Sequence, residues 1–310
     1  MSFDISAPIF HDEEAAQTHI ESVRWPNGPT CPHCGVFNVH RMAGKTQAGM
    51  FICRDCRQKF TVRTGSVMER SHIPLHKWLL ATHLMAASKK GMSAHQLHRM
   101  LGITYKSAWF LAHRIREAMF GDVERSGPVG GSGKTVEVDE TYVGGKAKNR
   151  AFRKEPPKKE AVVSLVERAG RVRSFHVANV TSKTLRPIIV KHASRASYLM
   201  TDESTIYPKI GDEFTGHGTV NHSIDQYVRG VFWHTNTVEN YFSILKRGVI
   251  GTFHHVSEAH LSRYIAEFDF RYNTRDISDA ERATRALKAT EGKRLTYRRV
   301  DEGQNTQAAC

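Results

Sequence analysis

Residues 136–143 read Val136-Glu137-Val138-Asp139-Glu140-Thr141-Tyr142-Val143, and this run decides the fold of the largest expected domain. Its β-branched and aromatic residues are typical of a strand, yet Asp139 stands inside it. Aspartate is depleted in strands because its short charged side chain suits turns better than a pleated, half-buried surface. Asp139 is therefore a candidate for chemistry rather than for packing.

Two further acids stand in unusual places. Asp202 ends the strand-like run 197–202, and Glu239 opens the helix-like segment 236–242. Carboxylates on two strands and one helix are what a site for two divalent cations about 4 Å apart requires. Glu137 is a rival to Asp139, since both would lie on the same face of the strand, whereas Glu140 would face away. Periodicity alone does not choose between Glu137 and Asp139.

The pattern around these acids predicts an α/β domain over residues 135–277. Residues 161–167 and 172–177 flank a turn, residues 198–201 form the next strand, and residues 220–224 are a further candidate. Helical segments are expected at 184–192, 237–246 and 257–271. Antiparallel strands followed by a helix, another strand and more helices suit an RNase-H-like fold, which is a mixed sheet flanked by helices.

Four of the five cysteines form two pairs, Cys31-x2-Cys34 and Cys53-x2-Cys56, separated by 18 residues. Two such knuckles complete a tetrahedral site for one structural zinc ion. The alternatives are two disulfides or a redox pair, which a cytosolic location and the duplicated motif disfavour. We expect an N-terminal helix and a zinc ribbon over residues 1–70. Cys310 is left out of the pattern.

Residues 71–121 predict a helix-turn-helix-like module for DNA binding. Ser93 and Gln96 form a capping-box pattern, Gly102 ends the second helix, and Thr104 can cap the third. The third helix would bury an apolar face and present basic residues to phosphates or base edges. Its candidate DNA contacts are Lys106, Arg114 and Arg116. The alternative is a helical bundle with a solvated basic face.

The net charge of +14 indicates a polyanionic partner, most simply nucleic acid. The alternative is a charge that serves solubility alone. Residues 122–134 are rich in glycine and predict a flexible linker, and residues 278–310 predict a loosely ordered tail. No signal peptide or membrane span is expected, so the prediction is a cytoplasmic protein.

Several long motifs carry a resemblance to a known family. They are VEVDETYVGGK at 136–146, HTNTVEN at 234–240, LKRG at 245–248, GTFHHVS at 251–257 and FRYN at 270–273. With the zinc ribbon in the same order, the chain resembles the bacterial insertion-sequence transposases of the ISXO2-like type from about residue 12 to residue 276. The resemblance implies a DDE transposase with an RNase-H-like catalytic core, whose catalytic residues would be Asp139, Asp202, Glu239 and Asn273.

The expected chemistry uses two Mg²⁺ ions, for which Mn²⁺ can substitute, since carboxylate and water ligands suit them. Asp139, Asp202 and Glu239 would bind these ions. Asn273 would supply a neutral oxygen or orient a water or Glu239. Asn236 could also cap the helix with Glu239 as its partner, and the two roles of Glu239 are compatible.

Basic residues near the acids are candidates for DNA contact. Lys246 lies two helical turns after Glu239, and similar DDE enzymes place a lysine at this offset. Arg247 is a weaker candidate. Lys146, Lys148 and Arg150 begin a basic segment that runs to Lys159 and could clamp the DNA backbone. Solvated surface side chains are the alternative for all of them. Of the histidines around Glu239, His234 is the best placed.

The sequence therefore predicts a transposase that cuts at the terminal inverted repeats of its element and transfers the 3′ ends to target DNA. Its partner is double-stranded DNA, and a homodimer or higher oligomer is expected because two ends must be brought together. No membrane partner is expected. The alternatives are a DNA-binding regulator derived from such an enzyme, or a metal-dependent nuclease that hydrolyses DNA without joining it.

Overall fold

The computed structural model describes residues 4–44, 48–144, 159–220 and 234–296. The chain divides into two compact units. The first, here called the terminal unit, contains residues 1–87, 94–121 and 279–310. The second, the central unit, contains residues 88–93 and 122–278. None of the helices in the described ranges is long and apolar enough to cross a membrane.

In the terminal unit a short 3-10 helix, Pro8–Phe10, precedes helix α1 (Glu13–Arg24), which Asp12 caps by accepting the Ala15 N–H at 2.7 Å. A three-stranded antiparallel sheet follows, with strands β1 (Val39–Arg41), β2 (Met50–Cys53) and β3 (Lys59–Thr61). Trp25 packs edge-on against Phe51 and Phe60, at ring distances of 5.5 and 5.9 Å. These aromatic rings supply a core for a sheet too small to bury one from its own aliphatic residues.

Three helices complete the predicted helical module: α2 (Leu75–Ala87), α3 (Ala94–Leu101) and α4 (Tyr105–Arg125). Gly102 follows α3 with a positive φ of 58°, and Thr104 accepts the Ser107 N–H, as predicted. The predicted inner face of the third helix is buried throughout. It consists of Ala108, Leu111, Ala112, Ile115 and Met119.

The prediction of a loosely ordered tail from residue 278 is wrong for its first part. Helix α9 (Asp279–Lys288) packs against α1 and α2, and it buries Ala280, Ala286 and Leu287. Only one large apolar residue marks this helix, and the other buried positions are alanines. Sequence periodicity detects such a stripe poorly, because alanine is common on both buried and exposed helix faces. Residues 297–310 lie outside the described ranges.

The prediction of a flexible linker at 122–134 is also wrong in part. Helix α4 extends to Arg125, and Val129 is buried at 2% exposure. The Val129 N–H donates to the His192 carbonyl, and the Val129 carbonyl accepts the Ser194 N–H, both at 2.8 Å. Backbone pairing of this kind orders a segment whose glycine content suggests freedom.

The central unit contains a mixed five-stranded sheet in the order β6-β5-β4-β7-β8. Its strands are β4 (Thr135–Gly144), β5 (Lys159–Glu167), β6 (Val172–Val177), β7 (Tyr198–Asp202) and β8 (Gly216–Val220). Strands β4, β5 and β6 pair antiparallel, whereas β7 pairs parallel to both β4 and β8. The predicted hairpin is confirmed. The predicted strand 220–224 meets β8 only at Val220, and its other residues lie outside the described ranges.

Helices cover both faces of this sheet. One face packs against α5 (Ser182–His192) and the short helix α6 (Pro208–Gly211). The other packs against α7 (Asn236–Gly248) and α8 (Glu258–Asn273), and a π-helical turn, Val249–Phe253, follows α7. The register pairs Glu137 with Val166 and Asp139 with Ser164. Since Val166 belongs to the core beneath α7 and α8, both acids lie on that face.

Candidate active site

Asp139 and Asp202 lie at the same level on neighbouring parallel strands. The pairing of β4 with β7 matches Thr135 to Tyr198 and Glu137 to Met200. Continued by two residues, this register sets Asp139 beside Asp202. Residues in register on parallel strands project to the same face, so the two carboxyl groups share one side of the sheet.

Helix α7 brings Glu239 to the same place. Asp139 and Glu239 both line a cavity of about 580 Å³. Glu140 and Thr141 also line the cavity from β4. The residues that line it from α7 and the following turn recur every three or four positions, so they lie on one face of the helix. That wall consists of Glu239, Phe242, Ser243, Lys246, Arg247 and Ile250.

Asp139 is electrostatically strained in this cavity. Burial raises the pKa of Asp139 to about 7, against the lowering effect of the Glu140 N–H that donates to its Oδ1 at 2.8 Å. The charges of Glu140, Asp202 and Glu239 raise the pKa further. Carboxylates that repel one another favour a bound proton or a bound cation, so this cluster suits a positive ligand.

The carboxylates are not packed as closely as the ligands of a single ion. The carboxylate oxygens of Asp139, Asp202 and Glu239 do not all lie within 4.8 Å of one another, even when the nearest oxygen of each is taken. Such spacing is compatible with ligands shared between two ions about 4 Å apart.

The structure separates Asp139 from its rivals. Glu137 is fully buried and accepts the backbone N–H groups of Thr237 and Val238, at 2.8 and 3.0 Å. Glu140 accepts a hydrogen bond from the Tyr207 hydroxyl, which belongs to the core on the opposite face. Asp139 is therefore the β4 acid best placed to bind a cation with Asp202 and Glu239.

Glu239 is held by Thr235, which sequence reasoning missed. Helix α7 begins at Asn236, and its N-cap residue is Thr235. The predicted capping pair of Asn236 and Glu239 is therefore wrong. The Thr235 hydroxyl instead donates to Glu239 Oε1 at 3.1 Å. The four-residue spacing of a threonine before a glutamate at a helix start was the available signal.

Asn273 is not brought to the cavity, which corrects the prediction that it joins the catalytic residues. Its side-chain oxygen accepts the Val172 N–H at 2.7 Å, and its amide donates to the Val172 carbonyl at 2.9 Å. Val172 lies on β6, the sheet edge two strands away from β4. Asn273 thus ties the end of α8 to a sheet edge whose backbone would otherwise lack a partner.

Six of the eight predicted basic residues divide into three groups. Lys246 and Arg247 are exposed and line the cavity on the helix that carries Glu239. Lys106 is exposed on α4. Lys146, Lys148 and Arg150 lie outside the described ranges.

The prediction that Arg114 and Arg116 contact DNA is wrong, because both side chains are buried rather than presented to a ligand. Arg114 donates to the Glu69 carbonyl at 3.2 Å and lies over the Phe110 ring. Arg116 is 2% exposed. Residues 111–116 of α4 are all buried, so a basic residue opposite its apolar stripe is not thereby exposed.

The four paired cysteines form a compact group whose sulfur atoms all lie within 4.8 Å of one another. Cys31 Sγ lies 3.7 Å from Cys56 Sγ, and Cys34 Sγ lies 3.6 Å from Cys53 Sγ. Both distances are far longer than a disulfide bond, which is about 2.05 Å. They are close to the separation of about 3.8 Å expected for tetrahedral zinc with Zn–S bonds of about 2.3 Å. This donor set fits one structural zinc ion and leaves no open position.

A second close group of side chains with metal-ligating atoms is Glu160, His176 and Glu258. Each has an ordinary structural role. His176 Nε2 pairs with Glu160 at 2.9 Å, and Glu258 lies in the first turn of α8, where a helix dipole favours an acid.

Asp139→Asn should stabilise the protein in Mg²⁺-free buffer, and the gain should grow as pH rises from 5 to about 7. Because folding raises the pKa of this carboxyl from 3.8 to about 7, the wild type loses stability as pH rises between these two values and levels off once the folded carboxyl ionises. The gain should reach about 4 kcal/mol at most, because one pKa unit corresponds to about 1.4 kcal/mol. Melting temperatures between pH 5 and 8.5 measure it. Glu203→Gln, a change at an exposed acid, should show no such trend, and a gain from Asp139→Asn that is independent of pH would contradict the argument.

Comparison with known proteins is consistent with this arrangement. Residues 130–273 match the family described as the ISXO2-like transposase domain, and residues 11–59 match the transposase zinc-ribbon domain. A relative from Halobacterium salinarum, described as an uncharacterized protein in transposable element ISH50, is 28% identical over 283 residues. The aligned region covers 84% of this chain and 91% of the relative.

Proposed function

We propose, for a chain that carries both the ISXO2-like transposase domain and the transposase zinc ribbon, that it is a DDE transposase acting on the ends of its own element. The single observation that supports this most strongly is the register that, continued by two residues, sets Asp139 beside Asp202, with Glu239 in the cavity that Asp139 also lines. The sheet order and the position of the third acid on a following helix are consistent with an RNase-H-like catalytic domain.

Asp139, Asp202 and Glu239 would hold two Mg²⁺ or Mn²⁺ ions. The raised pKa of Asp139 and the all-oxygen donor set fit such hard cations. When bound, the metals would activate the attacking oxygen and stabilise the oxygen that leaves phosphorus. Thr235 keeps one Glu239 oxygen directed by its hydrogen bond.

The reaction would proceed in two phosphoryl transfers. Water attacks the phosphate at an element end, the bond to the 3′ oxygen breaks, and a 3′-hydroxyl is released. That hydroxyl attacks a target phosphate, where one phosphodiester bond replaces another, so no external energy source is needed. DNA itself provides the second nucleophile, and no protein nucleophile is required.

Lys246 and Arg247 would bind the DNA backbone beside the reacting phosphate. Both are exposed on the cavity wall, on the same face of α7 as Glu239 and about two helical turns along it. Lysine and arginine contacts to phosphate set the register of DNA without reading its sequence. The net charge of +14 favours the same partner.

The zinc ribbon and helices α2 to α4 would recognise the terminal inverted repeats. Lys106 remains the candidate contact from the predicted basic face, since Arg114 and Arg116 are buried. Because two element ends must be joined to one target, a dimer or higher oligomer on DNA is expected, in the cytoplasm and at the nucleoid.

The direct test combines purified protein, labelled element-end DNA, target DNA and Mg²⁺. Nicks at the 3′ ends followed by strand-transfer products are expected. Hydrolysis without joining would favour a nuclease, and end binding without any cleavage would favour a DNA-binding regulator.

The Lys246→Ala variant should bind DNA more weakly, and its affinity should depend less steeply on salt concentration. Unchanged binding would remove Lys246 from the interface.

A further inference from the structure

Within the described residues 234–296, helix α7, which carries Glu239, begins without a cap from its own chain segment. The first N–H groups of a helix have no partner within the helix and are normally satisfied by the N-cap side chain. Thr235 occupies that position but makes no side-chain capping bond. Its hydroxyl donates to Glu239 Oε1 instead.

Glu137 supplies the missing cap from strand β4. Its Oε2 accepts the N–H groups of Thr237 and Val238, and its Oε1 accepts the Thr237 hydroxyl at 2.9 Å. The carboxylate is wholly buried and also receives Arg168 Nε at 2.6 Å. A buried carboxylate is tolerated only when donors surround it in this way.

One further hydrogen bond fastens the segment before α7. Arg168 donates to the His234 carbonyl at 2.7 Å, so one guanidinium bridges Glu137 and the chain that leads into the helix. His234 Nδ1 lies 3.3 Å from Glu137 Oε1. The start of α7 is thus attached to β4 at a point two residues before Asp139.

We propose that Glu137 is a positioning residue that sets the distance of Glu239 from Asp139 and thereby the affinity of the metal site. The inference rests on the proposed function. By capping α7 from another strand, Glu137 leaves the Thr235 hydroxyl available to direct Glu239. Glu137 does not itself bind metal, because its oxygens are occupied by donors.

Glu137→Gln places an amide among donors, and Glu137→Asp keeps the charge but is one methylene too short to reach α7. Both variants should raise the Mg²⁺ concentration needed for half-maximal cleavage by about 10- to 100-fold, the usual cost of losing a group that orients a metal ligand. Saturating Mg²⁺ should restore much of the rate. Mn²⁺ binding to the DNA-free protein, followed by electron paramagnetic resonance, should weaken by a similar factor.

Glu167→Gln is the matched control. Glu167 is a buried acid on the neighbouring strand β5, and it accepts the Gly130 N–H at 3.1 Å, away from α7. This variant should lower the melting temperature while it leaves the Mn²⁺ affinity and the Mg²⁺ midpoint unchanged. A purely structural Glu137 would behave in the same way, and that result would overturn the proposal.

If Glu137→Gln does not fold, Thr237→Val provides a milder test. It removes the hydroxyl bond to Glu137 and keeps the backbone bond, so a smaller shift of the Mg²⁺ midpoint in the same direction is expected. No shift in both Thr237→Val and Glu137→Asp would also overturn the proposal. Failure of the proposed function looks different, since the wild type itself would not cleave, while its Mn²⁺ affinity still reports on Glu137.

Discussion

Asp202→Asn should reduce cleavage of element-end DNA by about a thousandfold or more. Asp202 would share metal binding with Asp139, which the strand register sets beside it. Catalytic metals contribute several kcal/mol to the stabilisation of a transition state, and about 1.4 kcal/mol corresponds to a factor of ten in rate. Initial rates of 3′-end nicking at saturating DNA and Mg²⁺ measure the loss.

The adjacent acid provides the control for this prediction. Glu203→Gln removes the same charge from an exposed side chain next to Asp202, and its rate should stay within a few-fold of the wild type. DNA binding should survive in both variants, because binding depends on the basic residues rather than on the acids. Equal losses in Asp202→Asn and Glu203→Gln would indicate a general electrostatic effect and sink the catalytic assignment.

Cys53→Ser should abolish zinc binding and unfold the zinc ribbon. The four thiolates form one compact site, and loss of one ligand leaves it incomplete. Zinc contributes about 10–16 kcal/mol in isolated zinc-binding peptides, which far exceeds the folding free energy that a small three-stranded sheet can supply. Elemental analysis should find about one zinc per wild-type chain and almost none in the variant. The near-ultraviolet circular dichroism of Trp25, packed against Phe51 and Phe60, should change with it.

Cys310→Ser is the control, since the paired spacing leaves Cys310 out of the zinc site. It should retain zinc and the signal of Trp25. We expect Cys53→Ser to lose recognition of the element end more than its affinity for unrelated DNA, because the ribbon is proposed to read the end. Full zinc content in Cys53→Ser would refute the four-cysteine site.

The candidate site was predictable from sequence where the evidence was local. Asp139 and Asp202 attract notice because aspartate is unusual in a strand, and Glu239 because a long motif surrounds it. The hairpin, the cysteine knuckles and helices α7 and α8 follow from alternation, spacing and helical periodicity. Each of these features depends on residues close to one another in the chain.

Contacts across the chain decided the points that sequence patterns left open or misjudged. Alternation places Glu137 and Asp139 on one face but does not say that the first is occupied by Thr237 and Val238. The helical pattern predicted that Arg114 is exposed, whereas the surrounding side chains bury it. The family resemblance implied a catalytic role for Asn273, yet its side-chain amide forms hydrogen bonds with the backbone of Val172 on the edge strand.

The sequence by itself determined most of the helices and strands around the candidate site, the four thiols suited to zinc, the transposase resemblance and the three acids on which the proposed chemistry rests. The tertiary structure alone decided which acids are available to metal and which are engaged in structure. The physical reason is that availability depends on burial and on hydrogen-bond partners. For Glu137 those partners lie 100 and 101 residues away in the chain, beyond the reach of any local pattern.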